Sequence, residues 1–154
     1  MAYEQVRDYF EGQGLGDRVL RLTDASDTVE HAAQAIGCEP AMIAKTLSFL
    51  VDGEPILVVM AGDQKADNRK FKQEFGTRPR MIKYDEVESY IGHAPGGVCP
   101  FAVKAGVKTY LDTSLKRFTD VYPAAGDGNS AVHLTIAELE EHAHNQAWID
   151  VSKS

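Results

Sequence analysis

The sequence predicts an α+β domain, a mixed β core with helices laid around it, and three observations lead there. Two apolar runs, Ile43 to Val51 and Pro55 to Ala61, meet across Asp52-Gly53, the pattern of a β-hairpin. Several short segments carry apolar residues at helical spacing and stop at glycine. The strand-like runs are not followed regularly by helices, which argues against a doubly wound parallel sheet. The 154 residues suit a single domain over 1–154, and 44% apolar content is enough for an ordinary core.

In chain order, Tyr3 to Gly12 places Val6, Tyr9 and Phe10 at helical spacing. Arg18 to Leu22 reads as a short strand. Asp27-Thr28-Val29-Glu30 resembles a capping box opening a helix through Ile36, with Gly37 as its stop. Pro40 can start a short helical turn. Pro55 to Ala61 is apolar enough to be buried on both faces. Asp67 to Phe75 predicts a helix with Phe71 and Phe75 on one face and its cations elsewhere. A further helix runs from Asp85 to Ile91. Lys108 to Asp112, Asp120 to Pro123 and Ala131 to Leu134 read as strands. Thr135 and Glu138 cap a helix reaching about His144, and Ala147 to Val151 reads as a last strand.

No apolar run approaches the roughly 20 residues that span a bilayer, and the first residues lack the pattern of a signal peptide. The expectation is a cytoplasmic protein without a membrane partner. Two cysteines, Cys38 and Cys99, form no disulfide framework. The net charge of −7 argues against a general nucleic-acid coat protein. Between Lys65 and Lys83, however, seven basic residues face only Asp67 and Glu74, an excess of five. That stretch is either a phosphate-binding patch or a solvated helix face followed by a loop.

Chemistry concentrates in two places. Gly92-His93-Ala94-Pro95-Gly96-Gly97-Val98-Cys99-Pro100-Phe101 holds three glycines and two prolines, the composition of a stiff loop with exposed amides or of a tight connection. Lys45 stands within the first strand of the hairpin. It either lies on the wet face with its stem over apolar surface, or faces a cleft where its ammonium holds a phosphate or polarises an ester carbonyl. Cys99 with His93 six residues away is a conceivable nucleophile and base, although an unactivated cysteine is more often a small apolar filler. No His, Asp or Glu grouping has metal-ligand spacing, and no nucleotide-binding glycine signature is present.

Taken in order, Ile43-Ala44-Lys45-Thr46-Leu47-Ser48-Phe49, Val58-Val59-Met60-Ala61-Gly62-Asp63, Gly96-Gly97-Val98-Cys99-Pro100-Phe101 and Tyr110-Leu111-Asp112-Thr113-Ser114-Leu115 resemble the YbaK/EbsC family. This family comprises free-standing relatives of the editing domain of prolyl-tRNA synthetase. The likeness runs from about Thr28 to about Glu141. It implies a barrel-like mixed sheet with surrounding helices, and hydrolysis of the ester joining a wrong amino acid to the 3′ end of a tRNA. The resemblance casts Lys45 as the essential strand lysine. It makes Gly96, Gly97, Val98, Cys99 and Pro100, with Thr46 and Gly62, the substrate contacts. The terminal ribose hydroxyl would help activate water, and loop amides would steady the oxyanion, with no metal or cofactor.

A small residue such as alanine, cysteine or serine is the expected substrate, on a tRNA that accepts proline, with prolyl-tRNA synthetase as a partner. Lys65, Arg69, Lys70 and Arg80 are the expected tRNA contacts. Two positions depart from the pattern. Ile91 precedes Gly92 where many relatives carry threonine, and Cys99 replaces a small polar residue. A non-catalytic aminoacyl-tRNA or nucleotide binding module, and a hydrolase dependent on Cys99, are the rival readings. The oligomeric state is left open.

Overall fold

The computed structural model describes residues 2–22 and 28–154. Among these residues five α-helices surround a mixed sheet that curls into half a barrel. The helices are α1 (Ala2–Gly12), α2 (Val29–Ile36), α3 (Asn68–Phe75), α4 (Val87–Ile91) and α5 (Ile136–His142). The strands are β1 (Val19–Arg21), β2 (Ile43–Val51), β3 (Glu54–Ala61), β4 (Lys65–Ala66), β5 (Lys108–Asp112), β6 (Asp120–Pro123), β7 (Ser130–Val132), β8 (Leu134–Thr135), β9 (Trp148–Ile149) and β10 (Ser152–Lys153). Six of them order as β8-β6-β2-β3-β5-β9, while β1 pairs with β7 and β4 with β10.

The hairpin is the axis of this sheet. Asp52 and Gly53 both take positive φ, 52° and 79°, the backbone that a two-residue turn needs to match the strand twist. Antiparallel pairing then runs without a slip from Val51↔Glu54 to Ala44↔Ala61. β3 lies between β2 and the parallel β5, and Ile56 to Ala61 are all buried, as its unbroken apolar run predicts. On one face Ile56, Val58 and Met60 pack with Phe49 and Phe71, which brings α3 down onto the sheet. On the other, Val59 and Ala61 meet α1, α5 and Phe101, while Leu57 meets Ile82, Val87 and Ile91.

Sequence and structure part company at several ends. The single strand expected over Ala131–Leu134 is two strands. Val132 pairs with Val19 and Leu134 with Val121, so the chain changes partner at His133. The last helix stops at His142 rather than His144, because His144 adopts φ of 52°. The segment expected as a helix from Asp85 begins as a 3₁₀ turn, Tyr84–Glu86, and becomes α-helical only at Val87. Thr28 caps α2 through its own hydroxyl, which accepts from His31 N; Asp27 lies outside the described residues. β4 was not foreseen, since two residues carry no periodicity and their partner is the distant β10.

Asp112 ties the far end of the sheet to the chain terminus. It is fully buried, and its carboxylate accepts from Val151 N at 2.9 Å, Ser114 N at 3.0 Å and Ser152 Oγ at 2.6 Å. Ser114 Oγ in turn accepts from Ala61 N at 3.1 Å, which fixes the end of β3 opposite Ala44. Asp112→Ala strands these donors in the core. The expected cost is about 3 kcal/mol, read as a lower urea midpoint with unchanged slope; a variant as stable as the parent contradicts this account of the clamp.

Candidate functional site

The outer edge of β2 is paired at both ends and open in the middle. β6 runs beside Ile43 and Ala44. At the other end Leu50 N donates to Arg80 O at 2.9 Å and Ile82 N to Ser48 O at 3.1 Å. Lys45, Thr46 and Leu47 have no strand partner on that edge among the described residues. Backbone groups alternate sides along a strand, so the N–H and C=O of Thr46 point the same way as those of Ser48 and Leu50, outward into the gap.

A cavity of about 230 Å³ occupies this gap. Its floor is Ala44, Lys45 and Thr46; α2 supplies Val29 and Ala32; the glycine loop supplies Pro95, Gly96 and Val98. The remaining wall includes Tyr122 from β6, Asp127 from the following turn and Ser130 from β7. Lys45 is half-buried, and burial pulls its ammonium below the ordinary lysine range, against the opposing fields of Asp63 and Glu30. Asp63 is already engaged, with Arg117 Nη2 at 2.6 Å and Nη1 at 3.0 Å. Lys45 therefore brings an amine to the cavity that no carboxylate among the described residues neutralises by contact. Thr46 Oγ1 is buried without a hydrogen-bond partner among the described residues.

The loop reaches this position because Gly97 admits close packing. A Cβ there would lie 2.4 Å from the Gly126 carbonyl and 2.5 Å from Asp127 Cα, so only glycine lets the loop seat on that turn. Asp127 is braced as well. Burial works to raise its pKa, yet Arg21 at 2.7 Å, Asn129 N at 2.9 Å and Ser130 Oγ at 2.8 Å hold it below the usual carboxylate range. Tyr122 lies flat on His133, with ring centres 4.5 Å apart, and His133 Nε2 hydrogen-bonds Asp120.

Of the residues singled out from sequence, Lys45, Thr46, Gly96 and Val98 meet at the cavity. Gly97, Cys99, Pro100 and Gly62 do not line it. Gly62 is a packing position, where a Cβ would fall 2.2 Å from Pro40 O. Cys99 is fully buried and its thiol is pushed up to about 12 by burial. Its neighbour His93 places Nε2 2.6 Å from Phe101 O and 3.5 Å from Cys99 Sγ. A carbonyl can only accept, so Nε2 carries the proton and is not free to take one from the thiol. Lys65, Arg69 and Arg80 are exposed, and Lys70 binds Asp150 Oδ1 at 3.1 Å and Ser152 O at 2.8 Å; none of the four lines the cavity. Sequence reasoning missed Tyr122, Asp127, Ser130 and the α2 wall. Asp127 lies in Gly126-Asp127-Gly128, a composition that on its own signals no more than a turn.

Among the described residues no three His, Cys, Asp or Glu side chains gather as metal ligands, and no helix is long and apolar enough to cross a membrane.

Comparison with known proteins agrees with this architecture. The chain is 46% identical over 154 residues to the uncharacterized protein YwhH of Bacillus subtilis, spanning 99% of this chain and 98% of that one. It is 27% identical over 130 residues to a proline–tRNA ligase of Nitratidesulfovibrio vulgaris, covering 84% of this chain but only 22% of the ligase. A crystal structure of a candidate trans-editing enzyme for prolyl tRNA synthetase superposes with a TM-score of 0.88 at 28% identity, over 99% of this chain and 98% of that one. Residues 23–142 match the aminoacyl-tRNA editing domain. The chain belongs to the aminoacyl-tRNA editing domain family.

Proposed function

We propose that this protein hydrolyses the ester between a small, wrongly attached amino acid and the 3′ end of a tRNA, acting as a free-standing deacylase in the cytoplasm. The observation that carries this reading is the convergence of Lys45, the open edge at Thr46 and the Gly96–Val98 turn on one small cavity. In the reaction, water adds to the ester carbonyl, the tetrahedral intermediate carries an oxyanion, and collapse releases the amino acid and the ribose 3′ oxygen, which takes up a proton. The Lys45 ammonium and loop amides stabilise the developing negative charge, the term that usually dominates acyl transfer. The neighbouring ribose hydroxyl of the terminal nucleotide orients the attacking water, so no protein nucleophile is needed. The outward carbonyl of Thr46 and the braced carboxylate of Asp127 are acceptors for the substrate's α-ammonium.

A cavity of about 230 Å³ lies below the several hundred Å³ of pockets for drug-sized ligands, which suits an alanyl, cysteinyl or seryl group. The likeness to a proline–tRNA ligase supports a tRNA that accepts proline, with prolyl-tRNA synthetase as a partner. A second sieve of this kind removes residues too similar in size for the synthetase to reject outright.

Lys45→Ala is expected to keep its circular dichroism spectrum and lose at least about a hundredfold in deacylation of mischarged tRNA; a normal rate removes Lys45 from the mechanism. Cys99 behaves oppositely. Iodoacetamide at pH 8 should modify Cys38 and spare Cys99 in the folded protein, because a thiol near 12 is almost wholly protonated there. Deacylation should continue after that treatment. Rapid labelling of Cys99 with parallel loss of activity is the opposite result, and it reinstates a thiol mechanism.

A further inference from the structure

The basic stretch between Lys65 and Lys83 is not one surface. Its first half belongs to β4 and α3, where Lys70 is spent on Asp150 and Ser152. Its second half is the extended segment 78–83, which is stitched to β2. Arg80 O and Ile82 N hydrogen-bond Leu50 and Ser48, and Met81 pairs with Phe49. Within this segment only Ile82 is buried. The side chains of Arg78, Arg80 and Lys83 have no hydrogen-bond or ion-pair partner among the described residues.

Two further observations fall in the same place. Met81 and Tyr84 are the exposed large apolar side chains among the described residues, 56% and 80% accessible. The antiparallel register also aims the segment at the cavity. Met81 stands opposite Phe49, so two residues later Lys83 comes level with Leu47, at the border of the open edge, and there the chain leaves β2 for the Tyr84–Glu86 turn. Tyr84 thus stands exposed on the 3₁₀ turn where the gap begins, and Asp85 and Glu86 follow it in the chain.

We infer that Arg80, Lys83 and Tyr84 form the docking surface for the unpaired nucleotides just upstream of the aminoacylated 3′ residue. The Tyr84 ring stacks on a base, and Arg80 and Lys83 hold the adjoining phosphates. Unpartnered cations interleaved with an exposed ring are what single-stranded nucleic acid recognises, since every base offers a face to stack and every linkage a charge. A double-stranded stem offers phosphates but no free base face, and so leaves Tyr84 unexplained. This inference rests on the tRNA-end reading above and adds the route by which the strand enters.

The test is binding of an uncharged proline-accepting tRNA transcript to the full chain, compared with the same transcript trimmed of its unpaired 3′ nucleotides. Tyr84→Ala, a substitution at a solvent-facing ring, is expected to weaken binding of the intact transcript about tenfold and to leave the trimmed one unchanged. Arg80→Ala with Lys83→Ala should lower the slope of log affinity against log salt by roughly 1.4, about 0.7 for each cation. Equal affinity of Tyr84→Ala and parent for the intact transcript overturns the inference, as does an equal loss for both transcripts. A short aminoacyl-adenosine ester separates the two levels of the argument. If the parent protein fails to hydrolyse it, the deacylase reading falls, while the binding comparison still decides the docking surface.

Discussion

Three residues of strand edge, unpaired among the described residues, shape the rest of this molecule. Buried backbone N–H and C=O groups are almost always paired, and β2 satisfies this on its outer edge at both ends, through β6 and through segment 80–82. Between them the edge at Lys45, Thr46 and Leu47 is left open, and α2 and the glycine loop close over it as walls rather than as a strand. A seventh strand there would complete the ladder and erase the cavity. The fold gives up part of a ladder to keep a row of directional donors and acceptors beside a small hollow.

The electrostatics follow the same division. Two carboxylates near the cavity are committed to arginines: Asp63 to Arg117 and Asp127 to Arg21. The Lys45 amine has no carboxylate in contact among the described residues, and burial already disfavours its charged form. A group in that state gains most when negative charge develops beside it, which is the requirement for stabilising an oxyanion. The surroundings of Cys99 work against a thiol mechanism. Burial raises its thiol, and the neighbouring His93 imidazole holds its Nε2 proton on Phe101 O.

Much of this was legible in the sequence, and the rest failed for identifiable reasons. The hairpin, the turn at Asp52-Gly53 and the helix carrying Phe71 follow from local period and turn chemistry. Lys45 and the glycine loop stood out because each breaks a local pattern. Tyr122, Asp127 and Ser130 break none; they reach the cavity through β6 and β7, whose placement depends on distant pairings, such as Ile43 with Tyr122 and Val19 with Val132. The motif around Asp112 carries part of the family resemblance, and its carboxylate is a clamp on the chain terminus. The basic stretch stayed open between a phosphate patch and a solvated face because charge counting does not see that Lys70 meets Asp150 across eighty residues of sequence.

The central claim is geometric: the acyl group sits between the open edge of β2 and the Gly96–Val98 turn. An aminoacyl-adenosine analogue with an amide in place of the ester, titrated into isotopically labelled protein, reads that position directly. The account predicts amide shifts clustered on Thr46 and Gly96, with the Val98 methyls and the Lys45 side chain moving in step. Shifts clustered instead on Tyr3 and Arg7, which line the hollow on the other side of the loop, would contradict it.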